Sequence, residues 1–259
     1  MFGKAIGRRA TTDAPCTQYG ERIYAVGDVH GRYDLLCELM DKLEEHNAAL
    51  PPAESMHIVI LGDIVDRGPD SAEVIRLLYD IERRFDQVIV LLGNHEELML
   101  RALDGDVGMC RAWMRVGGRA TLRSFGIERE PEEEYERLIR RANAAIPAEW
   151  IEWLRQRPLT ARSGDYLFCH AGIRPGRPLN RQSRDDLIWI RDLFLEDQSE
   201  HGAIIVHGHS VEEEVAVRSN RIGIDTGAYR TGVLTALYLD GMDRELIATI
   251  PPAEAKAAE

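Results

Sequence analysis

Apolar residues arrive along this chain in two rhythms. Unbroken runs at Ile23-Tyr24-Ala25-Val26, Ile58-Val59-Ile60, Val88-Ile89-Val90-Leu91-Leu92, Tyr166-Leu167-Phe168-Cys169 and Ala203-Ile204-Ile205-Val206 read as buried strands. Between the first two, Tyr33 to Glu45 carries Leu35, Leu36, Leu39, Met40 and Leu43 at helical spacing, and a helical pattern also spans Asp70 to Arg84. Strands alternating with helices of this length predict βαβ units and a parallel sheet. From Glu97 to Arg157 the strand rhythm stops. Helices are expected at Leu98 to Leu103, Glu132 to Ala145 and Pro147 to Gln156, with a break at Gly117-Gly118. This stretch reads as a helical insertion at about 97–157, a lid or wall. Glu132-Glu133-Glu134 is expected to be a solvated helix start, and Trp150 and Trp153 to pack.

The last third is strand-rich. A hairpin around Ser163-Gly164 and a helix from Asp185 to Leu195 precede four segments, Val215 to Arg218, Arg221 to Ile224, Gly232 to Leu239 and Glu245 to Ile250. These read as antiparallel strands separated by turns at Asn220, Gly227 and Asp240-Gly241. The chain is therefore expected to hold a flexible leader at 1–20, one α/β domain at 21–250 built of two packed sheets flanked by helices, and a polar tail at 251–259.

The residues just past each apolar run add chemistry to this scaffold. The runs close on Gly27-Asp28-Val29-His30-Gly31, Gly62-Asp63-Ile64-Val65-Asp66-Arg67-Gly68, Gly93-Asn94-His95-Glu96, His170 and His207-Gly208-His209. One such ending is an ordinary turn with an Asx cap. Five together supply an oxygen and imidazole cluster suited to divalent metal, at the strand ends where open α/β sheets bind ligands. Asp28 and His30, two residues apart on an extended strand end, can hold one ion. Asn94, His170 and a histidine of the His207-Gly208-His209 turn can hold a second, and the two oxygens of Asp63 can bridge both. Paired metals of this kind activate water and stabilise an in-line displacement at phosphorus. His95 is placed to act as general acid, with Asp66 holding its imidazole, and Arg67 to clamp phosphate oxygens.

The formal charge of −12 argues against a nucleic-acid partner, which needs a basic surface. Four scattered cysteines, Cys16, Cys37, Cys110 and Cys169, form no C-x-x-C pair and suggest a reducing compartment. No apolar run approaches the roughly 18 residues of a membrane span. Met1 to Gly20 lacks the apolar core of a signal peptide, so a cytoplasmic protein is expected; oligomeric state cannot be read.

The three glycine-bounded signatures, with His170 and Gly208-His209, resemble the phosphoprotein phosphatase family of the calcineurin-like metallophosphoesterases, most closely its small bacterial and phage members. The likeness runs from about Arg22 to Leu239. It implies a four-layer sandwich of two mixed β-sheets flanked by helices and two divalent ions, manganese first, with iron or zinc as alternatives. Asp28, His30 and Asp63 match the ligands of one ion, and Asp63, Asn94, His170 and His209 those of the other. His95 matches the acid and Asp66 its partner, while Trp189-Ile190-Arg191 makes Arg191 the second phosphate-binding arginine. The expected substrate is a phosphorylated protein or peptide, at phosphoserine, phosphothreonine or phosphotyrosine, attacked by a metal-bridging hydroxide. The alternatives are a symmetrical dinucleoside tetraphosphate hydrolase, or a phosphatase of a phosphorylated lipid or sugar. Asp66 and Glu96 favour the protein phosphatase, because the dinucleotide hydrolases usually carry alanine and aspartate there.

Overall fold

A computed structural model describes residues 14–249. In chain order the elements are β1 (Glu21–Val26), α1 (Tyr33–Ala48), β2 (Ser55–Ile60), α2 (Ser71–Glu82), β3 (Val88–Val90), α3 (Asn94–Leu103), α4 (Val107–Val116), α5 (Gly118–Ser124), α6 (Tyr135–Ala145) and α7 (Ala148–Arg155). They continue with β4 (Thr160–Ser163), β5 (Tyr166–Cys169), α8 (Arg184–Trp189), α9 (Asp192–Leu195), β6 (Ile204–His207), β7 (Ala216–Val217), β8 (Arg221–Gly223), α10 (Ala228–Thr231), β9 (Thr235–Asp240) and β10 (Asp243–Ala248).

Two five-stranded sheets result, ordered β10-β9-β1-β2-β3 and β4-β5-β6-β8-β7. Alternate residues along each strand point to opposite faces, and both faces are covered, which is why the strands read as unbroken apolar runs. From β1 and β2, Tyr24, Val26, Ile58 and Ile60 face Leu36, Leu39, Ile75 and Leu78 of α1 and α2. The intervening Ile23, Ala25 and Val59 face Phe168, Val206 and Ile222 of the second sheet. The far side of that sheet, with Leu167 and Ile205, is closed by Leu187, Ile188 and Phe194 of α8 and α9. The order is helices, sheet, sheet, helices, the four-layer α/β sandwich that the resemblance implies.

Both sheets are mixed. β1, β2 and β3 run parallel as expected, but β9 pairs antiparallel with β1, and β10 with β9. The expected four-strand antiparallel run near the end of the chain does not form. β8 lies parallel to β6 and antiparallel to β7 in one sheet, whereas β9 belongs to the other. The chain crosses between them through α10, where the sequence shows only the Gly227 turn.

Within the helical stretch, Glu133 is buried rather than solvated, and both its oxygens accept from Arg141 at 2.8 Å. Trp153 packs in the core and donates to Glu82 at 2.6 Å. Of the expected leader, residues 14–20 lie within the described part. Cys16 donates its amide to Asp165 at 3.0 Å, and Thr17 donates to the Gly241 carbonyl at 3.0 Å. The rest of the leader and the tail at 251–259 lie outside the described residues. Among the described residues, no helix is long and apolar enough to cross a membrane.

Candidate active site

The parallel strands β1, β2, β5 and β6, and β3 beside them, release the chain at their carboxyl ends, where every expected metal ligand collects. The turns there are tight. Five non-glycine residues have positive φ among the described residues: His30 (45°), Asp63 (47°), Asp66 (74°), Arg67 (68°) and His209 (63°). All five belong to the candidate site. L-residues avoid this conformation, so the surroundings must enforce it.

Glu96 is one enforcer. Its buried carboxylate accepts from the backbone amides of Gly93, Asp63 and Ile64, each at 2.9 Å, and of Val65 at 3.1 Å. Close backbone approach is the other. A Cβ on Gly93 would lie 2.2 Å from an Asp63 oxygen, and one on Gly208 would lie 2.0 Å from an Asp28 oxygen. Only glycine allows the neighbouring carboxylates to sit where they do.

Two groups of donor atoms lie within 4.8 Å of one another, His30 with Asp63 and His95, and Asp63 with His170 and His209. Asp63 is common to both. One of its oxygens is 3.3 Å from His170 Nε2, and the other is 3.7 Å from His30 Nε2. The backbone orients each imidazole: His30 Nδ1 donates to the Val65 carbonyl at 2.8 Å and His170 Nδ1 to the Leu61 carbonyl at 3.0 Å, so each Nε2 points inward. Asn94 Oδ1 lies 2.9 Å from His170 Nε2 and 2.8 Å from His209 Nδ1. Asp28 is buried beside them, its carboxylate accepting the His209 amide at 3.1 Å, though it enters neither group.

The donor set fits divalent ions. His30 Nε2 and His209 Nε2 are buried polar atoms without a hydrogen-bond partner. Burial pushes His30 down to about 3 and His209 to about 2, so both present bare lone pairs, as metal ligation requires. Burial also pushes the Asp28 carboxyl well up, and the Asp225 and Asp63 carboxylates push it further. Such crowding of buried acids is relieved by cations at their centre.

His95 has another environment. Although it stands in the first group by distance, both its nitrogens are occupied: Nδ1 lies 2.6 Å from Asp66 and Nε2 accepts from Arg67 at 3.1 Å. Burial works against its charged form, but the Asp63 and Asp66 carboxylates outweigh this and raise its pKa. Asp66 is fully enclosed. Its second oxygen accepts from the Trp113 indole at 2.8 Å and the Thr121 hydroxyl at 2.6 Å. The helical stretch therefore does more than flank the site, since α4 and α5 fix the Asp66 to Arg67 turn, with Arg67 donating its amide to Gly117.

Arg67 is half-buried, and its guanidinium lies 4.5 Å over the Tyr229 ring, whose edge also meets His30. Arg191 is exposed at the break between α8 and α9, and its charge reaches His209. The neighbouring Asp186 is taken by Arg174 and Arg177, so among the described residues Arg191 has no ion-pair partner. His207 points away, its ring packed 5.1 Å from Phe194. Cys169 is buried, and its thiol is pushed up to about 12, so it is no nucleophile.

Four site residues escaped the sequence reading, Tyr229 beneath Arg67 among them. Trp113 and Thr121 reach Asp66 from 47 and 55 positions away, and nothing local marks them. Asp225 is buried with Oδ1 accepting the Gly227 amide at 2.9 Å and Oδ2 unpartnered. It did carry a signal, because Ile222-Gly223-Ile224 is a sixth apolar run closing on an acid.

Fold and site together define a metal-dependent phosphoesterase, and residues 21–232 match the calcineurin-like phosphoesterase family, to which this chain belongs. Among its relatives, a Vibrio cholerae serotype O1 protein named "Bis(5'-nucleosyl)-tetraphosphatase, symmetrical" is 33% identical over 152 residues, 59% of this chain and 45% of the relative. The match thus spans under half the length of that protein. An Oceanobacillus iheyensis protein named as the asymmetrical bis(5'-nucleosyl)-tetraphosphatase PrpE is 28% identical over 234 residues, 83% of this chain and 87% of the relative. A crystal structure that carries the name of a diadenosine tetraphosphatase aligns with a TM-score of 0.61 at 21% identity, over 92% of this chain and 99% of that one. That likeness speaks for the fold alone.

These relatives overturn the expectation of a protein serine/threonine phosphatase acting on phosphorylated proteins or peptides, and favour its dinucleotide alternative. The geometry explains the error. Asp66 is consumed by His95, Trp113 and Thr121, and Glu96 by four backbone amides. Both residues shape the loops that carry the site, and neither is free to read the group attached to the phosphate.

Proposed function

We propose that this protein hydrolyses dinucleoside tetraphosphates, such as diadenosine tetraphosphate, with two divalent ions of which manganese is the first candidate. The observation that carries this reading is the shared name of relatives 27–33% identical to the chain. His30, Asp63 and Asp28 are assigned to one ion, and Asp63, Asn94, His170 and His209 to the other. When bound, the ions supply Lewis acidity at the phosphoryl oxygens and lower the pKa of water.

The chain's own side chains do the rest. In the structure Arg67 donates to His95 Nε2, which keeps that nitrogen bare. A substrate phosphate offers the guanidinium a charged, bidentate partner, and Arg67 turns to it. His95 Nε2 is then free to carry a proton, stabilised by Asp66 on Nδ1, and to deliver it to the departing phosphate oxygen. Arg191, without an ion pair, holds phosphate from the rim.

The test is hydrolysis by metal-stripped protein reloaded with manganese, offered diadenosine tetraphosphate and a phosphoserine peptide in parallel. Rapid loss of the dinucleotide is expected, with two ADP marking symmetrical cleavage and AMP plus ATP asymmetrical cleavage. Turnover of the peptide with the dinucleotide left intact would overturn the proposal.

A further inference from the structure

Away from the metal-ligand cluster, a cavity of about 360 Å³ opens against α5 and the segment that follows it. Its apolar lining is Pro131 with Leu122 and Ile127, the last two buried. The remaining lining is almost all cationic, with Arg119, Arg123 and Arg129 facing one carboxylate, Glu128. In a chain of formal charge −12, three guanidiniums around one concavity are a local reversal of sign. They are also under-used. The exposed Arg119 side chain has no hydrogen bond or ion pair among the described residues. Arg123 meets Glu128 only at 3.4 Å, with both side chains largely exposed, a contact worth little in water. Arg129 is fixed, donating to the Glu133 carbonyl at 2.7 Å and lying 4.6 Å over the Tyr135 ring, while its buried Nε has no partner.

The geometry points to a second anion site: the cavity binds a small, multiply charged phosphate compound between Arg119, Arg123 and Arg129. Guanidinium forks match phosphate oxygens, and the apolar floor strengthens the attraction by excluding water. One fixed arginine supplies the anchor, and two loosely held ones can close on the ligand. A carboxylate ligand would engage one fork and leave the other two unpaired, which is why phosphate is the class assigned. The cavity has a structural neighbour of consequence, since α5 carries both Arg119 and Arg123 and the Thr121 hydroxyl that grips Asp66.

The site is tested by isothermal titration of the manganese-loaded full chain with inorganic diphosphate, and in a second arm with ADP. Two equivalents are expected for the unsubstituted protein. Arg119→Ala/Arg123→Ala should weaken one of them about tenfold or more, the loss expected when charge-assisted hydrogen bonds go. Both side chains are exposed, so an unchanged melting temperature is expected to accompany that loss. Arg67→Ala should weaken the other equivalent and leave the cavity one intact. Whichever arm shows the tighter second equivalent names the source of the phosphate, free or nucleotide-borne. A single equivalent that Arg67→Ala abolishes, or two equivalents with unchanged affinity in the double variant, overturns the proposal.

Discussion

Four buried N–H groups converge on the carboxylate of Glu96, two at each oxygen, and Glu96→Gln asks what that convergence does. Glutamine keeps one accepting oxygen and turns an NH2 toward the other pair of donors. Two hydrogen bonds to a charged acceptor are lost, at about 1.5–3 kcal/mol each, or about 3–6 kcal/mol. An opposing effect has a similar size. Burial, with the Asp63 carboxylate adding to it, raises Glu96 to about 7. Carrying its charge in the folded state therefore costs about 3 kcal/mol, which glutamine removes. The net loss of stability is about 0–3 kcal/mol, or a fall in melting temperature of no more than about 10 °C for a chain of this size. Activity has no such compensation. Asp63 and Asp66 are held at positive φ by the loop that Glu96 clamps, and a displacement of about 1 Å there costs about 10²-fold in turnover. Thermal unfolding and turnover of diadenosine tetraphosphate, measured on both proteins, check the two halves. A variant that melts normally and turns over within about twofold of the unsubstituted protein would refute the clamp.

The same carboxyl gives a pH signature. Its folded pKa is raised, so the native state holds a proton that the unfolded chain releases near pH 4.5. Stability of the metal-free protein should thus fall as pH rises from about 4.5 to about 7, and Glu96→Gln should flatten that slope in a series of melts. His95→Asn should cost about 10²- to 10⁴-fold on an alkyl phosphate, whose leaving group needs a proton, and less on the dinucleotide, whose leaving phosphate is a weaker base; equal losses would remove the acid role. Tyr229→Ala should weaken phosphate inhibition by the roughly 0.5–2 kcal/mol of a cation–π contact, while Tyr229→Phe retains it, and identical inhibition constants would contradict the support of Arg67. Chelation should lower the melting temperature and manganese restore it, because the ions bind only the folded arrangement of His30, Asp63, His170 and His209; coincident melts with and without chelator would count against the ligand set.

How much of this was legible in the sequence depends on distance along the chain. Strand ends and the residues just past them are adjacent, so apolar runs closing on Asp28, Asp63, Asn94, His170 and His209 exposed both the sheet and the candidate donors. The crossing from β8 to β9 was not legible, since an apolar run does not say which sheet it joins, and Tyr229 was hidden in what read as a turn. The grip of Trp113 and Thr121 on Asp66 depends on the packing of α4 and α5, which no local pattern encodes. Missing that grip had a cost. With Trp113 and Thr121 unknown as its partners, Asp66 read as a sign of substrate choice as well as the holder of His95.

Five non-glycine residues in the left-handed conformation, all at the site among the described residues, also say something about how the molecule comes apart. At about 1 kcal/mol each they amount to about 5 kcal/mol, a sizeable share of what a whole domain has to spare. The two sheets carry no such tension. The loops beyond the strand ends are accordingly expected to open before the sheets, and amide hydrogens at Asp63, Asp66 and His209 should exchange with solvent well before those of β1 and β2.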